Sequence, residues 1–239
     1  MASRKRLTAE ERRRSILHAA IPLFAAKGFQ GTTTKMIAKA AQVSEALLYR
    51  HFPGKESLYL ELRDFVCGEK DELMSILAVL PPSTQTLIFF YHFMVHHLFM
   101  HDGQEIHPAG LNQDQMNRLM ANSFLEDGEF ARLFLDHTLS MCQPILLRCF
   151  EVAIEEGDME DCVGPPLQKL WFGHHLAVAL SLFDLPEKPV IDYGSSSENV
   201  ARNAVRFVLR GLGLRSEIIE KYYQPEAFPS VSEMMRNKA

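Results

Sequence analysis

The chain has 239 residues, of which 47% are hydrophobic and 23% charged, and it carries a formal net charge of −5. That balance fits a globular domain with a sizeable core and excludes a low-complexity or collagen-like chain. No stretch approaches the ~18 consecutive apolar residues of a membrane-spanning helix. The basic N-terminus lacks the apolar run and cleavage site of a secretory signal, and Cys67, Cys142, Cys149 and Cys162 form no Cys-x-x-Cys pair. Reduced thiols in a cytoplasmic protein are therefore expected.

The periodicity is helical nearly throughout, so the expected fold class is all-α. Thr8 opens a capping box with Glu11, and Ile16, Ala20, Leu23 and Phe24 follow on one face of a first helix. Lys27-Gly28 closes it, and Pro22 is expected to kink it. Thr33 is placed to cap a second helix that buries Ile37, Ala40 and Ala41, and Ser44 a third that ends at Pro53-Gly54. Longer helices are expected over Lys55–Leu80, Ser83–His101, Asn112–Leu125, Glu129–Glu156, Pro166–Leu185 and Ser197–Leu212, with a short one over Ser216–Tyr223.

Charge is unevenly distributed. From Met1 to Phe65 twelve Lys and Arg stand against six Asp and Glu, a net of +6, whereas the remainder carries thirteen against twenty-four, a net of −11. A basic head on an acidic body points to a polyanion at the head, with an ordinary solvated surface as the alternative.

The second and third helices are joined by the tight turn Gln42-Val43, the layout of a helix-turn-helix whose second helix enters a DNA major groove. On a helical wheel Leu48 and Phe52 fall toward the core. Ala46 and Arg50 lie opposite, flanked by Leu47 and Tyr49, with Glu45 at the N-terminal tip. The stretch "GFQGTTTKMIAKAAQVSEALLYRHFPGKESLY" resembles the DNA-binding head of the TetR family of one-component transcriptional regulators. Gly-aromatic-x-x-Thr-Thr, Ile-Ala, Val-Ser, Leu-Tyr-x-His-Phe and x-Lys-Glu-x-Leu occur in register from Arg12 to about Leu60.

The resemblance implies a head over residues 1–54 and an effector-binding and dimerisation domain over residues 55–239. It also implies a homodimer and a near-palindromic double-stranded operator. Carried over position by position, Thr33 and Lys55 fall where the family meets phosphates, and Tyr49 and His51 where it grips the backbone; Lys35 and Ser44 are further expected DNA contacts. Glu45, Ala46, Leu47 and Arg50 fall where it reads bases. Two departures leave the operator sequence open: Gln42 stands where glycine is common, and Glu45-Ala46-Leu47 where Lys-Gly-Thr is common. Arg4-Lys5-Arg6 reads as a DNA-reaching arm or as a solubilising tail.

In the body, Thr86–His101 is the richest aromatic stretch, and Met and aromatic side chains suit an adaptable apolar pocket. The expected effector contacts are Phe89, Phe93, His96, Met100, Met120, Phe124, Met141 and His174. His92 with His96, and His97 with His101, have the i, i+4 spacing of a metal clasp but lack a completing Glu or Cys. They read as core or surface groups, as pocket polar groups, or as metal ligands, and no metal or cofactor is expected. Pro144 is placed to bend the longest helix. Cys142 and Cys149 lie two helical turns apart, too far for a bridge. The apolar helix at Pro166–Leu185 and the next one, with Arg202, Arg206 and Arg210 along one side, are the expected dimer elements. No phosphate loop, nucleophile elbow or paired Glu-x-x-His is present, so no catalytic residue is assigned and an enzyme is not expected. The expected protein is a ligand-responsive, sequence-specific DNA-binding regulator, most simply a repressor released by a mostly apolar effector.

Overall fold

The computed structural model describes residues 7–68, 77, 79–100, 111–160 and 164–228. The basic stretch 4–6, His101, Cys162, the loop 102–110 and most of 69–80 lie outside the described residues, as does the side chain of Cys67. The described residues are helical with no strand, and no helix among them is long and apolar enough to cross a membrane. The chain divides into two compact units, one made of Met1–Glu69 and Ile106–Leu135, the other of Lys70–Glu105 and Asp136–Ala239.

The first unit holds α1 (Ala9–Gly31), α2 (Thr34–Ala40), α3 (Glu45–His51), α4 (Lys55–Gly68) and α5 (Gln113–Leu125). Thr8 starts α1 with the expected box: its hydroxyl accepts from Glu11 N (3.1 Å), and the Glu11 carboxylate accepts from Thr8 N (2.7 Å). That amide holds the Glu11 carboxyl below its ordinary pKa. The break in α1 falls at Gly28 (φ 66°, ψ −178°), where Lys27-Gly28 was expected to close the helix, and not at Pro22. Pro22 lies inside regular helical turns, because packing of the buried face of Leu17, Ile21, Phe24 and Ala25 holds the helix around it.

In α2 the buried residues are Ile37 and Ala38 with Ala41 half-buried, whereas Ala40, expected inside, is exposed. The buried stripe is centred one position away from the expected one. Leu48 and Phe52 close this core from the third helix, with Leu58 and Leu62 from α4 and Met116 and Leu119 from α5. Burying each such large apolar side chain stabilises the fold by roughly 1.5–3 kcal/mol.

The second unit contains α6 (Thr84–Phe99), α8 (Pro166–Asp184), α9 (Ser197–Leu212), α10 (Ser216–Tyr222) and a 3-10 turn at Pro225–Ala227. A further helix, α7 (Glu129–Glu155), supplies residues to both units and continues through Pro144. Ser83, Asn112 and Ser196 cap α6, α5 and α9 with their side chains, close to the expected starts of those helices. The α6, α8 and α9 helices pack closely at Gly173, where a Cβ would sit 2.4 Å from Tyr91 Cε1 and 2.9 Å from Val208 Cγ1. Neither the 3-10 turn nor the isolated bridge Met159–Leu214 was expected. On α9 the buried face is Ala201, Ala204, Val205, Val208, Leu209 and Leu212, and Gly211 is exposed.

Candidate nucleic-acid interface

Helix α2 begins at Thr33, whose hydroxyl accepts from Met36 N (3.2 Å), and α3 at Ser44, whose hydroxyl accepts from Leu47 N (3.1 Å). Between them Gln42 takes φ 55°, the one non-glycine positive φ among the described residues. A left-handed conformation costs an L-residue roughly 1–2 kcal/mol, and it is what brings α3 back across α2 within so few residues. The inner side of α3 is then fixed by Leu48 and Phe52, both wholly buried.

Glu45, Ala46, Tyr49 and Arg50 are exposed together, Leu47 and His51 are half-buried beside them, and Thr33 and Lys35 are exposed at the start of α2. The Tyr49 hydroxyl shares a hydrogen bond with Thr34 Oγ1 (3.1 Å), which steadies the ring on the outer surface. The side chains expected outward on the wheel therefore form one surface of aromatic, small and cationic groups. Such a surface has the donors and apolar contacts that base edges and phosphates require.

Two residues behind this surface went unremarked in the sequence. Arg13 of α1 donates to both carboxylate oxygens of Glu61 in α4 and to the carbonyl of His51 at the end of α3, and its guanidinium lies 4.5 Å from the Phe52 ring centroid. It therefore ties α1 and α4 to the C-terminus of α3. Glu126 is the second, with its carboxylate accepting from Phe29 N (3.0 Å) and Gln30 N (3.3 Å). Lys55, expected at a phosphate, is half-buried and donates to Phe29 O (2.8 Å), with its ammonium 4.1 Å from the Phe29 ring centroid. One donor of its three is committed inside the head.

Residues 16–62 match the model for bacterial regulatory proteins of the tetR family. The chain carries a TetR-family head. Over 44 residues it is 48% identical to the biofilm operon icaADBC negative transcriptional regulator IcaR of Staphylococcus aureus, covering 18% of this chain and 24% of IcaR. Over 56 residues it is 36% identical to the uncharacterized regulator YuxN of Bacillus subtilis, covering 23% of this chain and 19% of YuxN. The matches thus span a quarter or less of these curated relatives. The likeness of fold extends further. The structure of AibR in complex with isovaleryl coenzyme A and operator DNA is 19% identical with a TM-score of 0.61, over 82% of this chain and 97% of that one. A tetR-family protein from Rhodococcus RHA1 is 18% identical with a TM-score of 0.59, over 86% of this chain and 99% of that one. The expected architecture, a TetR-family helix-turn-helix head with a helical C-terminal domain, is the architecture found.

Of the residues expected to meet an effector, Phe89, Phe93, His96, Met100, Met141 and His174 belong to the second unit, and Met120 and Phe124 to the first. Phe93 is buried and Phe89 half-buried, with their rings 5.8 Å apart and Phe89 also edge-on to Phe228 at 5.9 Å. Met100 and Met141 are half-buried against the second unit's core, Met120 packs on the first unit's core, and Phe124 is exposed.

The histidines of α6 do not form a clasp. His92 Nδ1 faces the Tyr223 hydroxyl (3.4 Å), and His96 Nδ1 donates to the His92 carbonyl (2.7 Å). His97 lies on the same helix, but its expected partner His101 is outside the described residues. Among the described residues no group of three or more His, Cys, Asp or Glu could hold a metal ion. Cys142 and Cys149 are buried and form no disulfide among the described residues. Three buried side-chain atoms have no hydrogen-bond partner among the described residues: Tyr91 Oη, His96 Nε2 and His174 Nδ1. His96 Nε2 stands 3.6 Å from the Glu198 carboxylate, too long for a hydrogen bond. Burial, with the neighbouring His175, pushes the His174 pKa down to about 4, and burial raises that of Tyr91 well above its ordinary value. Both side chains are therefore neutral at pH 7.

Proposed function

We propose that this protein is a homodimeric, ligand-responsive and sequence-specific DNA-binding transcriptional regulator that acts in the cytoplasm as a repressor. In this reading residues 1–54 meet DNA and residues 55–239 carry dimerisation and effector binding. The observation that carries it is the outer face of α3, where Glu45, Ala46, Tyr49 and Arg50 stand exposed while Leu48 and Phe52 hold the inner face. Such a helix presents a reading surface without disturbing the core beneath it. Two copies would place it in major grooves about 34–36 Å apart, or a multiple of that, on one face of a near-palindrome.

Pairing is supported by Phe172 on α8 and Phe207 on α9, which are 66% and 71% exposed although each helix packs its other side into the core. Large exposed aromatics on adjacent helices are what an isologous interface covers. An effector is supported by the neutral Tyr91 phenol and His174 imidazole, whose Oη and Nδ1 atoms are buried with no hydrogen-bond partner among the described residues. They suit a mostly apolar molecule with an uncharged polar group. The AibR fold accommodates operator DNA and a small molecule in one complex, and IcaR is a negative regulator; both agree with this reading. Release follows if the effector prefers a dimer whose heads are wrongly spaced for the operator, with α4 as the lever.

The test is selection of purified full-length protein against random duplex DNA, followed by a salt titration on the enriched sequence. A near-palindrome bound with a steep salt slope is expected. Absence of enrichment, from protein shown by mass spectrometry to hold no ligand, refutes the reading. The variants Tyr49→Ala, Arg50→Ala and Lys55→Ala should each weaken that binding, and three unchanged affinities refute the docking model. Phe89→Ala and Phe93→Ala should lower affinity for any effector that releases the DNA.

A further inference from the structure

The last turn of α5 is joined to the head by side-chain-to-backbone hydrogen bonds concentrated at the α1 break. Asn122 Nδ2 donates to Phe24 O (3.3 Å) and Ala25 O (2.9 Å), the carbonyls just before the break. Glu126 accepts from Phe29 N and Gln30 N, the amides just after it. The two side chains therefore hold α1 from both sides of Gly28. The break also makes the space: a Cβ at position 28 would lie 2.7 Å from Glu126 Oε1, so no side chain fits there while the carboxylate is seated. An ionised acceptor shared by two backbone amides is among the stronger hydrogen-bonding arrangements, and it fixes the Phe29 peptide in one orientation.

That peptide carries the next contact. Its carbonyl takes the Lys55 ammonium and its ring lies beneath the same charge. Lys55 is the first residue of α4, where helix amides favour an anion. A Phe29 peptide free to turn would let the ammonium swing away from that helix start.

We propose that Glu126, assisted by Asn122, is a positioning residue for DNA binding: it sets the Phe29 peptide, and the Phe29 peptide sets Lys55. This rests on the reading of Lys55 as a phosphate contact. Neither Asn122 nor Glu126 touches DNA in this scheme. Their effect reaches the operator through one lysine.

The experiment is a double-mutant cycle on the full-length protein, using the duplex enriched by the wild type at fixed salt, with melting curves to confirm folding. Lys55→Met should weaken binding about tenfold and flatten the salt slope by about one unit. Glu126→Ala should do the same, Glu126→Gln, which keeps an acceptor oxygen, should bind within about twofold of wild type, and Lys55→Met/Glu126→Ala should bind no worse than Lys55→Met alone. Should Glu126→Ala fail to fold, Glu126→Asp, one methylene too short to reach both amides, replaces it. Losses that multiply in the double variant, or wild-type binding by Glu126→Ala when Lys55→Met is weak, overturn the inference alone. Wild-type binding and slope by Lys55→Met overturn the inference and the phosphate role of Lys55 together.

Discussion

Replacing Gly173 by alanine sets two opposing effects of known size against each other. In an unconstrained helix the change is favourable by about 1 kcal/mol, because alanine loses less backbone freedom on folding. At Gly173 the new methyl would lie 2.4 Å from Tyr91 Cε1 and 2.9 Å from Val208 Cγ1. Tyr91 is wholly buried and Val208 nearly so, so neither can swing into solvent to make room. Forcing a methyl into a packed core costs about 1–3 kcal/mol and overrides the propensity gain in most of that range. The expected net loss is up to about 2 kcal/mol, a melting temperature lower by up to roughly 8 °C for a chain of this size. Gly211→Ala is the control, since a Cβ there meets nothing within 4 Å and the position is exposed on α9. It should be neutral or raise the melting temperature by up to about 4 °C. Thermal melts followed by helical circular dichroism, at one protein concentration, read both. A Gly173→Ala protein that melts at or above the wild type refutes the close crossing of α6, α8 and α9.

Gln42→Gly relieves the left-handed strain at a cost in unfolded-chain entropy, so stability should move by less than about 1 kcal/mol, whereas Gln42→Val should lose clearly more; denaturant midpoints read both. Phe207→Glu should convert a dimer to a monomer in light scattering and weaken operator binding sharply, and a monomeric wild type refutes the interface. His174 has its pKa depressed to about 4 in the fold, so the unfolded chain binds the extra proton first. Its stabilising contribution is then complete above the unfolded value of about 6.5 and is lost as pH falls from there toward 4, at up to about 1.4 kcal/mol per unit. Denaturant midpoints taken across that window should fall with pH, and His174→Phe should flatten the response; an equal slope in the variant refutes the assignment.

The first helix starts were legible because the capping side chain lies within three residues of the amide it satisfies, as at Thr8, Thr33 and Ser44. The outward face of α3 was legible for the same local reason, since seven residues on a helical wheel fix which side is apolar. What failed was long-range. Arg13 meets Glu61 48 residues away, Glu126 meets Phe29 97 away, and His92 meets Tyr223 131 away. No periodicity carries those distances. Lys55 was placed at a phosphate by the family resemblance, and nothing local shows that Phe29 O also lies within its reach. Pro22 illustrates the converse: a local rule called for a kink, and tertiary packing on both sides of the residue kept the helix regular.

The division of α3 into two faces bears on how such a protein changes over generations. Everything that orients the helix lies behind it or at its ends: Leu48, Phe52, the Ser44 cap and the guanidinium of Arg13 on the His51 carbonyl. Glu45, Ala46 and Arg50, on the open side, belong to neither core cluster. Those three positions are free to mutate without a folding penalty of consequence, so on the proposed function operator preference can drift, or be redesigned, while the scaffold stays as it is.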